Sequence, residues 1–359
     1  MNVLIIELGG SHAECIYSTV HFLTHNHSEV HVACNESLVR LLPESLQLSG
    51  ILDLPDHLNF FRQIQSFIKI RKYIADHQID TIIINTTEIK VVRNLSLVLP
   101  RKNTIGLVHN ARKLKNSSTF SKVLYRKIKK YLVLSDYLLT EIDPLPKYHV
   151  SSFYPIYFPK VEVLAPMKPA NEYWITIPGT VAVERRDYLS LVNYISKHKF
   201  PENIKFIFLG KFKEREDLVT ALADSGLWHS QIKTFDYQLE YNEFHSYIQQ
   251  SDLMLPLINS EANGFYGNTR ISGTFNLGLG YKKPFLLNRK YASNKDLSCF
   301  SHYYDSMEEL AEIILHLYYQ NFKDPVIQDA YQESIFNDME RMSIRFYDFV
   351  KTDQDAVLV

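Results

Sequence analysis

Unbroken apolar runs alternate with stretches of helical periodicity along this chain, and the alternation occurs twice. In the first half VLIIEL (3–8), EVHVAC (29–34), DTIIINT (80–86), NTIGLVHN (103–110) and YLVLSDYLLTEI (131–142) read as strands, and FFRQIQSFIKIRKYIADH (60–77) as a helix. A strand that is apolar at successive positions is covered on both faces, the condition of a parallel sheet wrapped by crossover helices. Gly9-Gly10 turns the chain after the first strand, and Ser11-x-x-Glu14 has the pattern of a capping box. Pro144, Pro146, Pro155, Pro159, Pro166 and Pro169 then mark an extended linker. Beyond it the alternation restarts with YWITIPG (173–179), a helix over 186–198, KFIFLGK (205–211), a helix over 214–225 and IKTFDY (232–237). A helix over 241–250, DLMLPLI (252–258), a helix over 271–281 and PFLLN (284–288) complete it. The expected class is α/β, with two doubly wound, Rossmann-like domains, 1–160 and 161–327, facing each other across a cleft. A last helical stretch, 328–359, is expected to cross back to the first domain. Ligands of such sheets bind beyond the carboxyl ends of the strands.

With 359 residues, each half is large enough to bury a core of its own without staples. The three cysteines, Cys15, Cys34 and Cys299, have neither zinc-ligand nor disulfide-framework spacing, so no metal is expected. The N-terminus enters a strand at once, carries Glu7 inside it and lacks a basic leader, and no run approaches about 18 apolar residues. The expected location is the cytoplasm. Balanced totals of 39 Lys+Arg and 40 Asp+Glu conceal one basic strip. Residues 111–130 hold eight cations, Arg112, Lys113, Lys115, Lys122, Arg126, Lys127, Lys129 and Lys130, and no acid. Phe120, Val123, Leu124 and Ile128 fall at roughly helical spacing within it. This pattern fits a helix lying on an anionic membrane surface, which would make the protein peripheral on the inner membrane face, or equally a solvated helix with its apolar side in the core. No nucleic-acid reader motif accompanies the strip, so nucleic acid is not an expected partner.

Two turns of the second half carry candidate anion-binding chemistry. After WITI, the loop Pro178-Gly179-Thr180 leads to Arg185 and Arg186 at a helix start, where the helix dipole disfavours cations unless an anion docks. Local neutralisation by Glu184 and Asp187 is the alternative. Between DLMLPLI and PFLLN, Arg270 precedes Ser272 and Gly273, small residues that let an anion reach backbone N–H groups. Read alone, Ser272 serves equally well as a plain N-cap. Lys211 ends the strand KFIFLGK, so four cations, Arg185, Arg186, Lys211 and Arg270, are expected at one sheet edge, suiting a diphosphate. Neither G-x-x-x-x-G-K-[ST] nor G-x-G-x-x-G occurs at these turns, against a P-loop ATPase or a dinucleotide dehydrogenase. In the first half, Gly10 permits close backbone approach to a sugar or phosphate. His12, His109 and Glu88 follow strand ends and suit acid–base work.

The order of strand, PG and basic helix start, then LGK, TFDY, SDLMLPL and YGNTRISGTFNLGLGYKKPFLL resembles the donor half of GT-B glycosyltransferases, closest to the bacterial branch related to glycosyltransferase family four. The resemblance covers most of 170–290 and more weakly the first half. It implies a glycosyltransferase that moves a sugar from a nucleotide diphosphate sugar to a glycan or lipid-linked acceptor without a metal or other cofactor. By it, Arg185 or Arg186 with Lys211 would hold the diphosphate, together with Gly10 and Thr180, and the backbone around Phe235, Asp236 and Tyr237 would meet the base. Arg270, Ser272 and Gly273 would cradle the sugar phosphate, and His109, His12 and Glu88 would be the catalytic candidates. Relatives carry two glutamates eight positions apart in this loop, whereas here Glu261 is followed by Thr269. A nucleotide-sugar epimerase, and a non-catalytic nucleotide-sugar-binding component of a glycan assembly complex, are the alternatives.

Overall fold

The computed structural model describes residues 1–352 apart from 11, 57–58, 116–126, 143–147, 162–165, 199, 213–215 and 260–268. The chain divides into two units, Met1–Pro159 with Asn268–Ile271 and Asp338–Val359, and Lys160–Gly267 with Ser272–Asn337.

The first unit runs β1 (Asn2–Glu7), α1 (Ala13–His25), β2 (Glu29–Asn35), α2 (Glu36–Val39), β3 (Gly50–Leu54), α3 (Phe60–Asp76), β4 (Thr81–Ile84), α4 (Lys90–Val98), β5 (Asn103–Val108), α5 (Arg112–Lys115), β6 (Lys130–Val133), α6 (Asp136–Glu141) and β7 (His149–Ser152). Its seven strands lie in the order β3-β2-β1-β4-β5-β6-β7, each pair parallel. The order reverses between β1 and β4, which makes the carboxyl end of that pair the switch point of the sheet. The apolar runs supply the buried strands: Val3 to Ile6, Ile82 to Ile84 and Ile105 to Val108 are essentially inaccessible. YLVLSDYLLTEI is not one strand. It stops after Val133, and Ser135 accepts the amide of Leu138 as the N-cap of α6. Ser11 lies outside the described residues, and α1 is preceded by His12 in the left-handed region (φ 65°), with no side-chain cap.

The second unit runs β8 (Tyr173–Pro178), α7 (Tyr188–Lys197), β9 (Ile204–Lys211), α8 (Glu216–Ser225), β10 (Ile232–Phe235), α9 (Tyr241–Gln250), β11 (Leu253–Met254), α10 (Gly273–Gly280), β12 (Phe285–Asn288), β13 (Ser301–Tyr304), α11 (Met307–Tyr319) and α12 (Pro325–Glu333). Its six parallel strands follow the same plan, β10-β9-β8-β11-β12-β13, reversing between β8 and β11. Tyr331 keeps α12 in this unit by donating its hydroxyl to the Lys283 carbonyl (2.9 Å) and stacking on Phe300.

The last helix, α13 (Met339–Lys351), belongs to the first unit. Its Phe346 packs between Phe22 and Phe153, and Arg345 grips Asp136 with both terminal nitrogens. Lys130, counted above with the basic strip, is fully buried beneath this helix. Its ammonium donates to the carbonyls of Phe349 (2.5 Å), Val350 (3.2 Å) and Thr352 (2.5 Å), acceptors that a helix end leaves without internal partners. Lys130→Ala is therefore expected to destabilise the protein by about 3 kcal/mol, read as a lower urea midpoint, with α13 becoming the first site of proteolysis. An unchanged midpoint would refute the capping role.

Candidate functional site

The carboxyl edge of the first sheet is organised by a carboxylate inside the apolar strand β1. Glu7 is fully buried, and its oxygens accept from the amide of Gly9 (2.5 Å), the Asn85 side chain (2.9 Å) and the Thr86 hydroxyl (2.6 Å). The loops leaving β1 and β4 are thereby tied together at the switch point. Burial pushes the Glu7 carboxyl above its usual range against these hydrogen bonds. Gly10 has φ 67°, and a β-carbon there would stand 2.9 Å from the Asn35 amide, so only glycine suits this turn.

His109, just past β5, donates Nε2–H to the Asn85 carbonyl at 2.7 Å, which leaves Nδ1 as the lone-pair nitrogen. His12 stacks on the same ring at 3.8 Å and holds Glu14 at 3.2 Å. Burial, with the charges of His12 and Arg270, pushes His109 down to about 4. For His12 burial is outweighed by the hydrogen bond and charge of Glu14, with Glu7 and Glu88 beyond, and its pKa rises. Glu88 accepts the Asn110 amide at 2.7 Å, and burial raises its carboxyl. Thr269 accepts the Ala111 amide at 2.9 Å, which brings Arg270 to this edge. His12, Glu88 and His109 therefore occupy one neighbourhood. Glu7, Glu14, Asn85 and Thr86 complete it, and the signal for them was a charge inside an apolar strand and a polar run at the end of another.

Among the described residues, buried polar atoms without a hydrogen-bond partner gather here. Asn35 Oδ1, Asn85 Oδ1, Glu88 Oε2, His109 Nδ1 and Thr269 Oγ1 are all of this kind. Such an atom costs about 1–3 kcal/mol when left unsatisfied, so five around one sheet edge suit a polar ligand.

In the second unit the two loops at the switch point are also joined. Arg186 is buried, and its guanidinium donates to the carbonyls of Pro178 and Pro256 and to Thr274 Oγ1 (3.3 Å). Residues 185–187 pair with 257–259 through the Arg186–Ile258 bridge and the amides of Asp187 and Asn259. This corrects the expectation of a ligand-facing Arg186, because strand-end carbonyls take its donors. Gly179 (φ 106°) makes room, since a β-carbon there would stand 2.8 Å from Arg186 Nη2. Of the other three expected cations, Arg185 and Lys211 are exposed in the second unit and Arg270 is exposed in the first. Thr180 is exposed after β8, and Tyr237 is half exposed, donating its hydroxyl to Glu243 at 2.8 Å. Ser272 accepts the Thr274 amide as N-cap of α10, and the space where a β-carbon of Gly273 would stand is open. Of the basic strip, residues 116–126 lie outside the described residues, while Ile128 and Lys130 are buried. Among the described residues no group of three or more His, Cys, Asp or Glu is placed to hold a metal ion, and no helix is long and apolar enough to cross a membrane.

No family model matches the chain, and no curated protein does. Solved structures do. A glycosyltransferase from Rickettsia africae ESF-5 aligns over 98% of this chain and 97% of its own at 15% identity, with a TM-score of 0.65. Anabaena HepE, in complex with UDP and glucose, aligns over 97% and 98% at 14% identity, with a TM-score of 0.66. A putative UDP-N-acetylglucosamine 2-epimerase from Listeria monocytogenes aligns over 98% of both chains at 13% identity, with a TM-score of 0.63. The chain has the GT-B fold. Two doubly wound parallel sheets with crossover helices, in this order and at nearly full length, are what the GT-B neighbours share with it, and at these identities the likeness concerns the fold.

Proposed function

We propose that this protein is a glycosyltransferase that moves a sugar from a nucleotide diphosphate sugar to a glycan or lipid-linked acceptor. The observation that carries the reading is the gathering of buried polar atoms that have no hydrogen-bond partner among the described residues, at the switch-point edge of the first sheet, around a neutral imidazole. A hydroxyl-rich ligand supplies the partners those atoms lack. HepE, of like fold, is described with UDP and glucose bound, which supports a nucleotide-sugar donor here.

In this reading the donor diphosphate is held within the second unit by Arg185 and Lys211 with the start of α10 at Ser272 and Gly273, and Tyr237 and Thr180 lie beside the nucleoside. As the glycosidic bond breaks, charge builds on the leaving diphosphate, and cations and a helix N-terminus stabilise it without a metal. His109 Nδ1 takes the proton of the acceptor hydroxyl, which first displaces what covers that nitrogen. Glu88 and His12 set the local charge around it.

A thermal-shift panel of UDP-, GDP-, ADP- and CMP-sugars tests the donor. A donor at about 100 times its dissociation constant stabilises the fold by about 2.7 kcal/mol. Arg185→Ala with Lys211→Ala is expected to abolish that shift, and an undiminished shift in the variant would remove the pair from the seat.

A second reading, nucleotide-sugar epimerase, is favoured by the two imidazoles and two carboxylates of His12, His109, Glu14 and Glu88 in one neighbourhood, since epimerisation needs acid–base groups and no acceptor. Incubating the donor alone separates the two. A new epimer without any acceptor assigns the epimerase.

A further inference from the structure

Helix α3 has two apolar faces. The inner one, Phe67, Ile70 and Ile74, is buried in the first unit. The outer one is not covered: Phe60 is 70% exposed, Phe61 76%, Ile64 43% and Ile68 62%. Phe61, Ile64 and Ile68 follow one another at three- and four-residue steps, so they form a continuous stripe about 120° around the helix from the buried face. Single exposed apolar residues are ordinary, but a stripe of Phe61, Ile64 and Ile68 with exposed Phe60 beside it on one helix marks an interaction surface. Leu97 on α4, the helix that packs beside α3, is exposed as well.

The charges on α3 name the partner. Its seventeen residues include Arg62, Lys69, Arg71 and Lys72 against one acid, Asp76 at the last position. On a helical projection Arg71 and Lys72 flank the stripe, and Lys69 lies beyond it; all three are exposed. An apolar stripe with cations along its margins matches a lipid interface, where phenylalanine and isoleucine enter the acyl boundary and the cations meet anionic headgroups. A soluble acidic protein would match the cations but leave the phenylalanines without reason.

We propose that α3 docks the first unit onto an anionic lipid surface through Phe60, Phe61, Ile64 and Ile68, with Arg71 and Lys72 as its headgroup contacts. This surface is distinct from the strip 111–130 and does not depend on the enzymatic reading.

Flotation of the full chain with phosphatidylcholine vesicles, with and without about one-third phosphatidylglycerol, tests it. Binding is expected to the anionic vesicles and to weaken as salt rises. Phe61→Ser with Ile68→Ser should lower partitioning by roughly thirty-fold or more. Arg71→Gln with Lys72→Gln should lower it by roughly ten-fold. Both pairs are exposed, so the melting temperature is expected to stay within a degree or so of the parent, which confirms folding. Equal flotation of the Phe61/Ile68 variant and the parent overturns the proposal, as does a parent that ignores anionic lipid. A concentration-dependent dimer that this variant abolishes would give the face to a second copy of the chain and likewise overturn it.

Discussion

Replacing His109 by alanine is expected to lower turnover with the matching donor and acceptor by roughly 10²–10⁴-fold, the range lost with a positioned general base. The donor-induced thermal shift should survive, because the donor phosphates are assigned to other residues. His109→Gln sharpens the test. An amide can still donate to the Asn85 carbonyl, yet it takes no proton near neutral pH, so fold and hydrogen bond are kept while the base is lost. The pH profile carries an independent signature. A base held at about 4 is unprotonated well below the ordinary histidine range, so the acidic limb should fall near pH 4 to 5 instead of 6.5. The same shift has a stability consequence. The folded state keeps this ring neutral while the unfolded chain protonates it from about 6.5 downwards, so unfolded molecules bind more protons in the window from 6.5 to about 4. Stability from this group is whole above that window and declines as pH falls through it, by at most about 1.4 kcal/mol per pH unit. His12, whose pKa is raised, acts in the opposite sense: its contribution is present at low pH and fades as pH rises through its folded pKa. His109→Gln should remove the first slope and leave the second. A parent enzyme whose activity ignores His109→Ala would sink the assignment of the base.

The second large effect is structural. Arg186→Met is expected to destabilise the second unit by about 3–5 kcal/mol, because two carbonyls and Thr274 lose a buried charged donor and the loops after β8 and β11 lose their joint. The loss should appear in the absence of any nucleotide sugar. If the variant melts with the parent and only donor affinity falls, the side chain faces the ligand after all and the structural assignment is wrong. Arg185→Met, at an exposed neighbour, should leave the melting temperature nearly unchanged.

Much of the sheet architecture was legible because β1, β2, β4 and β5 are apolar at successive positions, and few other structures use such runs. The strands that escaped are those with weaker signals. GILDL in β3 is half exposed and lies at the sheet edge; HVSS in β7 sits in a proline-rich passage; β13, SHYY, is short and partly accessible. YLVLSDYLLTEI hid a boundary because a serine N-cap in an apolar run is a single-residue signal. In the candidate site, His109, His12 and Glu88 stood out by residue type and by following strand ends. Glu7 did not, since its meaning comes from Asn85 and Thr86, nearly eighty positions away, and pairing at that range leaves no local trace. Arg186 misled for a related reason. A cation at a helix start has two destinations, a bound anion or nearby backbone carbonyls, and only the packing of β8 against β11 selects the second. Lys130 is the same lesson in the basic strip, where charge count alone cannot separate a headgroup contact from a buried cap.

Placing α13 on the first unit also bears on how the molecule is made. Asn103 donates to the carbonyl of Val350, and Ser343 ties to Phe22 and Asn26, so the opening sheet lacks part of its cover until the codons for Met339–Lys351 are read. On the ribosome the later-made half can mature while the earlier one still waits for its tail. Nonsense truncations ahead of Met339 should therefore injure the part of the protein that was synthesised first.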